Sequence, residues 1–432
     1  MTAYNMQQQD AISQLESMAV QAYRAGREAE TLAYWKRILE IDPGHVRTLT
    51  AMGQHAFRRN DFQGALAAFG RVADSNAADP QAWVNVALAH QQLKHEDEEG
   101  DAIERALKID PGYLLALLLK GGRLERLGKQ HDAARAFGAA AAVAPPPEHL
   151  PPELRQSVQH ALTYKEDYDR RCGEFLDQHL KAVYEDFAGE RLKRFRDSVD
   201  IMLGRKRRYD SFSHAHHYPG LPAIEFFERG DFPWLDDFES ATDEIRDEFL
   251  AVHASGEGFA PYISYPDGTP LNQWAELNNS PRWSAFHLFR KGHRYEANAG
   301  RCPTTMALLD RAPQPVQSGR TPAAMFSLLN PRTRIPPHTG VSNVRLVTHV
   351  PLIVPEGCGF RVGNETRPWN PGEAFVFDDT IEHEAWNNSD KLRVVLIFDI
   401  WHPMLSEAER TLICALSDGL NQFTGESGGF DL

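Results

Sequence analysis

His338, His383 and Arg393 are the residues whose types and spacing could do chemistry. His338 stands just ahead of a β-prone run, and His383 follows Phe377-Asp378-Asp379 by a short turn, 45 positions downstream. Imidazoles at adjoining strand ends of a small barrel can meet at its mouth. Two neutral imidazole nitrogens suit Fe(II), Zn or Ni, and the coordination positions left open would give room for oxygen chemistry. Ten residues beyond His383, Arg393 opens the otherwise apolar strand VVLIFDIW. A cation entering a barrel core needs an anion, and a dicarboxylate gripped by the guanidinium fork fits. Histidines satisfied by hydrogen bonds inside a core are common, so spacing alone leaves that reading open beside the metal one.

The elements that must position these groups are strands. Val344 to Val350, Cys358 to Val362, Ala374 to Phe377 and Arg393 to Ile400 are β-branched or aromatic runs bounded by turns, spaced as in a double-sheet barrel. The β-prone character begins after Pro219, where short runs alternate with Gly, Pro and Asn. Ahead of it, about 153–203 has a helical period with Leu176, Leu180, Val183 and Phe187 on one face, read as a connecting or docking segment. Pro145-Pro146-Pro147 and Pro151-Pro152 cannot continue a helix and predict a stiff hinge. His214, His216 and His217, beside Tyr218-Pro219-Gly220, read as a surface turn rather than a metal site.

The first third repeats. Asp42-Pro43, Asp110-Pro111 and Pro145 set a 34-residue frame of 12–45, 46–79, 80–113 and 114–147. Its eighth column holds Ala19, Gly53, Ala87 and Gly121, small residues that let two helices approach; its 24th holds Trp35, Phe69, Ile103 and Phe137. This resembles the tetratricopeptide repeat, a helix–turn–helix unit that stacks into a concave binding surface. Two departures stand out: Asp79-Pro80 is displaced from the proline column, and Glu99 falls where Ala is usual.

Composition excludes several classes. With 46 Lys plus Arg against 60 Asp plus Glu, the net charge of −14 disfavours nucleic acid as a partner, and the run Arg205-Lys206-Arg207-Arg208 reads as a solvated basic face. No apolar run approaches the roughly 18 residues of a membrane span, and the N-terminus lacks the pattern of an export signal. Four scattered cysteines suggest neither a zinc cluster nor a disulfide framework, so a reducing, cytoplasmic setting is expected. No Gly-x-Ser-x-Gly, P-loop or Gly-x-Gly-x-x-Gly string competes for the chemistry.

The stretch from 218 to 410 resembles the aspartyl/asparaginyl β-hydroxylases, through WSAFHLF at 283–289, FSLL at 326–329, PHTG at 337–340, RLVTH at 345–349, GNETRPW at 363–369, FDD and EHE within 377–386, and FDIWHP at 398–403. The resemblance implies an Fe(II)- and 2-oxoglutarate-dependent dioxygenase that uses O₂, on a double-stranded β-helix (jelly roll) with flanking helices. It implies that His338 and His383 are the metal ligands, with Gly340 where wider relatives carry a carboxylate ligand, and that Asp379 is an acid near the metal. Arg393 would pair the distal carboxylate of 2-oxoglutarate, with Arg345 as the alternative cation; Trp283, Ser327 and His349 would make further cosubstrate contacts. Val347 departs from relatives with arginine there, which weakens the expectation of an acidic target, and the cysteine pair some relatives place before FSLL is reduced to Cys302.

The expected architecture is multidomain α and β: a tetratricopeptide solenoid over 12–147, a proline hinge and helical connector over 148–217, the dioxygenase domain over 218–410 and a tail over 411–432. The expected activity is β-hydroxylation of an Asp- or Asn-type residue in a peptide or protein docked by the repeats, with succinate and CO₂ as co-products. A small-molecule or acyl-chain hydroxylase, and a tetratricopeptide adaptor with an inactive barrel, are the alternatives.

Overall fold

The computed structural model describes residues 3–190 and 192–425, with side chains from residue 8. It divides into two compact units, 1–192 and 193–432.

Helix starts recur every 34 residues in the first unit. Its helices are α1 (Ala3–Arg24), α2 (Glu28–Ile41), α3 (Val46–Arg58), α4 (Phe62–Ser75), α5 (Pro80–Leu93), α6 (Glu96–Ile109), α7 (Leu114–Arg126), α8 (Gln130–Val143) and the long α9 (Pro152–Asp186). Within each hairpin the small residue of one helix receives the bulky residue of the next. A Cβ placed on Gly53 would run into the Phe69 ring, and one on Gly121 into Phe137. Phe69 and Phe137 are both buried. The two sequence departures have local explanations. Pro80 begins α5, where a missing N–H is harmless, and Asp79 caps that helix by accepting from the Gln81 amide at 2.9 Å. Glu99 is buried but receives Arg126 Nη2 at 2.6 and 2.9 Å, so one repeat neutralises the next.

The hinge expected at the prolines is a packed corner instead. Leu150 is buried, and Val158 and Ala161 of α9 join Leu117, Phe137 and Ala140 in one apolar cluster. Thus α9 extends the helical array, and the connector expected over 148–217 is divided, its last part belonging to the second unit. The face predicted on α9 is not a core face, since Val183 and Phe187 are exposed.

The second unit begins with α10 (Lys193–Met202) and contains α11 (Leu235–Ser240), α12 (Thr242–Ser255), α13 (Glu296–Ala299), α14 (Pro303–Leu309) and α15 (Glu407–Thr424). Its strands are β1 (Phe259–Pro261), β2 (Trp283–Arg290), β3 (His293–Arg294), β4 (Ala324–Leu329), β5 (Thr333–His338), β6 (Arg345–Ile353), β7 (Cys358–Val362), β8 (Glu365–Arg367), β9 (Phe375–Phe377), β10 (His383–Asn387) and β11 (Arg393–Trp401). They form two antiparallel sheets, one ordered β1-β2-β4-β11-β6-β9 with β3 on β2, the other β5-β10-β7-β8.

The larger sheet is buried on both faces, which is why its strands read as continuous apolar runs. Alternate residues serve different cores. Val394, Leu396, Phe398 and Ile400 pack with Phe238 of α11 and Phe249 of α12. Val395 of β11 and Val347 of β6 join Ile335, Phe360 and Val362 from the smaller sheet. The second core therefore lies between the sheets. The residues of odd number on β4, β6 and β11 share its side, and these include Ser327, Arg345, His349 and Arg393. The expected C-terminal tail is partly structured. α15 buries Ile413 against Val344, Trp401 and Leu405, while 426–432 lie outside the described residues.

Candidate active site

His338 ends β5 and His383 begins β10, and the two are direct cross-strand partners, with ring centroids 4.1 Å apart. Their Nδ1 atoms lie 2.8 Å from the Pro336 carbonyl oxygen and 3.0 Å from that of Ile381. A carbonyl only accepts, so each ring carries its proton on Nδ1 and leaves Nε2 as a bare lone pair. Burial, then the neighbouring ring, pushes His338 down to about 3; burial pushes His383 down to about 4. Both are therefore neutral at pH 7. Two acceptors side by side have no hydrogen to share, whereas a divalent cation satisfies both.

The surroundings fit a metal with two protein ligands. Gly340 donates its N–H to the Asp379 carbonyl at 2.6 Å, and a Cβ on Gly340 would collide with the Asp379 carboxylate. A third ligand from position 340 is thereby excluded by sterics. Asp379 Oδ1 is buried without a hydrogen-bond partner among the described residues, an acceptor that suits a metal site beside the two imidazoles. Among those residues no group of three His, Cys, Asp or Glu side chains stands in metal-binding geometry.

Arg393 and Arg345 have different tasks. Arg345 is buried between two acids, with Nη2 on Asp379 Oδ2 at 2.9 Å and Nη1 on Asp399 Oδ1 at 3.0 Å. Its charge is taken and it does not line the histidine cavity, which argues against the cosubstrate contact expected of it. Arg393 donates to Ser327 O and Oγ, both at 3.2 Å, and stacks 4.6 Å over Trp369. No acid forms an ion pair with it among the described residues, and burial pushes it down to about 10, still cationic at neutral pH.

The remaining predicted residues gather around this arginine. Trp283 Nε1 donates to Ser327 Oγ at 3.2 Å, so Ser327 accepts from two donors and keeps its own hydrogen for an incoming acceptor. Trp369 Nε1 donates to His349 Nδ1 at 3.2 Å, which puts the His349 proton on Nε2. Burial, then Arg393, holds that imidazole well below its usual value. Trp283, Ser327, His338, His349, Asp379, His383 and Arg393 all line one cleft of about 740 Å³, walled by Ile335, Val347, Phe360, Phe377 and Ile397.

Sequence reasoning missed Trp369, Asp399 and Tyr262. The first two lie inside the quoted words GNETRPW and FDIWHP; Tyr262, stacked 4.0 Å from Trp283, carries no sequence signal. The turn expected at His214–His217 is a strap: Ala215 N donates to Val341 O at 2.9 Å, and His214 Nε2 contacts Thr339 Oγ1 at 2.9 Å. Lys206 and Arg208 of the basic run meet Asp197 and Asp210 at 2.6 and 3.0 Å.

Acid should loosen this site. Burial lowers His338, His349, His383 and His402, and raises Asp378 and Asp399 to about 6. As pH falls through the ordinary histidine range the unfolded chain binds protons on those histidines that the native state refuses. The native state binds two on the aspartates that the unfolded chain lacks. The histidines outnumber the aspartates, so unfolding takes up protons on balance and stability falls on acidification. The melting temperature of metal-free protein from pH 7 to 4.5 should drop steadily; a flat or rising profile would contradict buried neutral histidines.

A double antiparallel sheet opening on a two-histidine cavity defines the class of protein. Residues 239–403 match the family described as Aspartyl/Asparaginyl beta-hydroxylase. The human aspartyl/asparaginyl beta-hydroxylase is 35% identical over 173 residues, covering 40% of this chain and 21% of the human protein. The ornithine lipid ester-linked acyl 2-hydroxylase of Rhizobium tropici is 34% identical over 192 residues, covering 44% of this chain and 64% of that protein. The chain thus matches about a fifth of the length of its human relative. A solved structure of the MamA protein is 18% identical, covers 41% of this chain and 96% of that one, and has a TM-score of 0.32. No helix among the described residues is long and apolar enough to cross a membrane.

Proposed function

We propose that this chain is an Fe(II)- and 2-oxoglutarate-dependent dioxygenase that hydroxylates a C–H bond, with succinate and CO₂ as co-products. We read the facing sheets as a double-stranded β-helix. The observation that carries the proposal is the pair of imidazoles with Nδ1 protons fixed by carbonyls, beside a buried arginine with no acid partner among the described residues.

Bound at the Nε2 atoms of His338 and His383, iron would supply the redox chemistry that activates O₂. The chain's own residues do the rest. Arg393 and the Ser327 hydroxyl bind the distal carboxylate of 2-oxoglutarate, and Trp283 orients that hydroxyl. His349 offers its Nε2 proton to the cosubstrate. Asp379, held by Arg345, would turn its unpartnered Oδ1 to accept a hydrogen bond beside the two imidazoles. Ile335, Val347, Phe360, Phe377 and Ile397 keep bulk water off the reacting carbon. Chelated protein given 2-oxoglutarate and O₂ should form no succinate; Fe(II) should restore it and Zn(II) should not. Succinate formation that ignores chelation would end this reading.

The target on this reading is an Asp- or Asn-type residue of a peptide or protein held by the helical array. The apolar Val347 wall and the lipid-acting relative from Rhizobium tropici favour a second reading, an acyl chain. A non-catalytic adaptor fits poorly with a cavity that keeps both histidines and Arg393. Deleting 1–192 should spare uncoupled conversion of 2-oxoglutarate to succinate and lower hydroxylation of a macromolecular substrate at least tenfold, by removing its effective concentration at the site. Equal hydroxylation by full-length and truncated protein would favour a small substrate.

A further inference from the structure

Trp369 touches two residues of the histidine cavity without lining that cavity itself. Its indole N–H donates to His349 Nδ1 at 3.2 Å, and the Arg393 guanidinium carbon lies 4.6 Å over the centre of its ring. Phe360 stacks on the same indole, with ring centroids 5.3 Å apart and planes inclined by 24°. The side chain is buried.

The local backbone holds the indole in this place. Trp369 stands on the loop that runs from β8, an edge of the smaller sheet, to β9, an edge of the larger. Both ends of that loop are in register with its contacts, since Arg367 pairs with Phe360 and Phe375 with His349. Pro368 and Pro371 restrict the chain on either side of the indole. Beyond it, Gly372 N donates to Pro351 O at 3.1 Å and Glu373 N to Asn370 O at 3.0 Å. An indole N–H can only donate, so the imidazole it meets must present a bare nitrogen and carry its proton on the other one. The ring face attracts a cation, and Arg393 has no acid paired to it among the described residues.

We propose that Trp369 is a positioning residue for 2-oxoglutarate: it fixes the tautomer of His349 and the plane of the Arg393 guanidinium, and so prepares two contacts with the cosubstrate at once. This role rests on the oxygenase reading and adds to it that the cosubstrate pocket is shaped from outside the cavity, by the loop that joins the two sheets. Trp369→Phe separates the two tasks, because it keeps an aromatic face for Arg393 and removes the N–H. Trp369→Leu removes both.

Calorimetric titration of Zn(II)-loaded, full-length protein with 2-oxoglutarate should show affinity reduced about tenfold in Trp369→Phe and about a hundredfold in Trp369→Leu. In a His349→Leu background, Trp369→Phe should cost nothing further, because the group it acts through is gone. With Fe(II), the KM of Trp369→Phe for 2-oxoglutarate should rise by the same factor while kcat holds; a merely structural tryptophan would lower the folded fraction, and kcat with it, at constant KM. Nitrogen-15 NMR reads the ring directly: wild-type His349 should carry its proton on Nε2, and its Nδ1 resonance should move in Trp369→Phe. A protonated Nδ1 in the wild type, unchanged affinity in Trp369→Phe, or a further tenfold loss in the His349→Leu background would each overturn the proposal. Failure of the wild type to bind 2-oxoglutarate would sink the oxygenase reading, while the NMR still decides whether Trp369 sets the His349 ring.

Discussion

His383→Ala is expected to abolish Fe(II)-dependent consumption of 2-oxoglutarate and to leave the folded protein intact. The strand register puts His383 opposite His338, and no third His, Cys, Asp or Glu joins them in metal-binding geometry among the described residues. Removing one of two ligands therefore halves the set. Losing a group that merely orients a ligand costs roughly 10–100-fold in metal affinity or activity, so losing a ligand itself should cost more. The fold should survive because the ring lies at the start of β10 and its burial opposes the charged form rather than anchoring the sheet. Iron content and succinate yield, measured on His338→Ala and His383→Ala, should fall together in both. Normal iron content in His383→Ala would remove the site from consideration.

The same geometry explains why a carboxylate cannot be added back at position 340. Asp379 already fills the space that a side chain on Gly340 would need, and its own carboxylate is held by Arg345. The acid beside the two histidines and the bare glycine at 340 are thus two sides of one packing choice. Asp379 reaches the neighbourhood of the histidines from the turn after β9, and Arg345 and Asp399 fix it there from β6 and β11.

Much of this was legible in the sequence, for identifiable reasons. Helix starts at 46, 80 and 114 follow the 34-residue frame because small and bulky columns must meet once per hairpin. β6, β7, β9 and β11 stand out as apolar runs because they are buried, three of them in the larger sheet. β5 and β10 do not, since TRIPPH and HEAWN mix prolines and charges, and one face of this pair carries the Arg334–Glu384 ion pair. Their partnership was therefore invisible even though both histidines sit on them. The two ion pairs of Arg345 cannot be read from the sequence because its partners come from 34 and 54 positions away, a distance at which spacing carries no information. The proline corner was misjudged for a related reason: prolines end a helix, but whether the chain then swings free depends on a residue such as Leu150 finding a cluster to enter.

Arg393→Leu is the variant in which function and stability should move in opposite directions. In the wild type a guanidinium lies buried against Ser327 and Trp369 with no carboxylate paired to it among the described residues, and burial alone accounts for its fall to about 10. That is an unfavourable arrangement for the protein by itself, and leucine relieves it, so the melting temperature should hold or rise. For the cosubstrate the change is severe. Truncating one partner of a buried, hydrogen-bonded charge pair costs about 2–5 kcal/mol, which corresponds to a rise in the apparent KM for 2-oxoglutarate of roughly 30-fold to several thousandfold. Arg393→Lys should fall between, because an ammonium keeps the charge but cannot hold a carboxylate with two parallel N–H groups. An unchanged KM in Arg393→Leu would assign the carboxylate to another cation; because Arg345 is bound on both sides by Asp379 and Asp399, that result would also require the buried triad to come apart when 2-oxoglutarate binds.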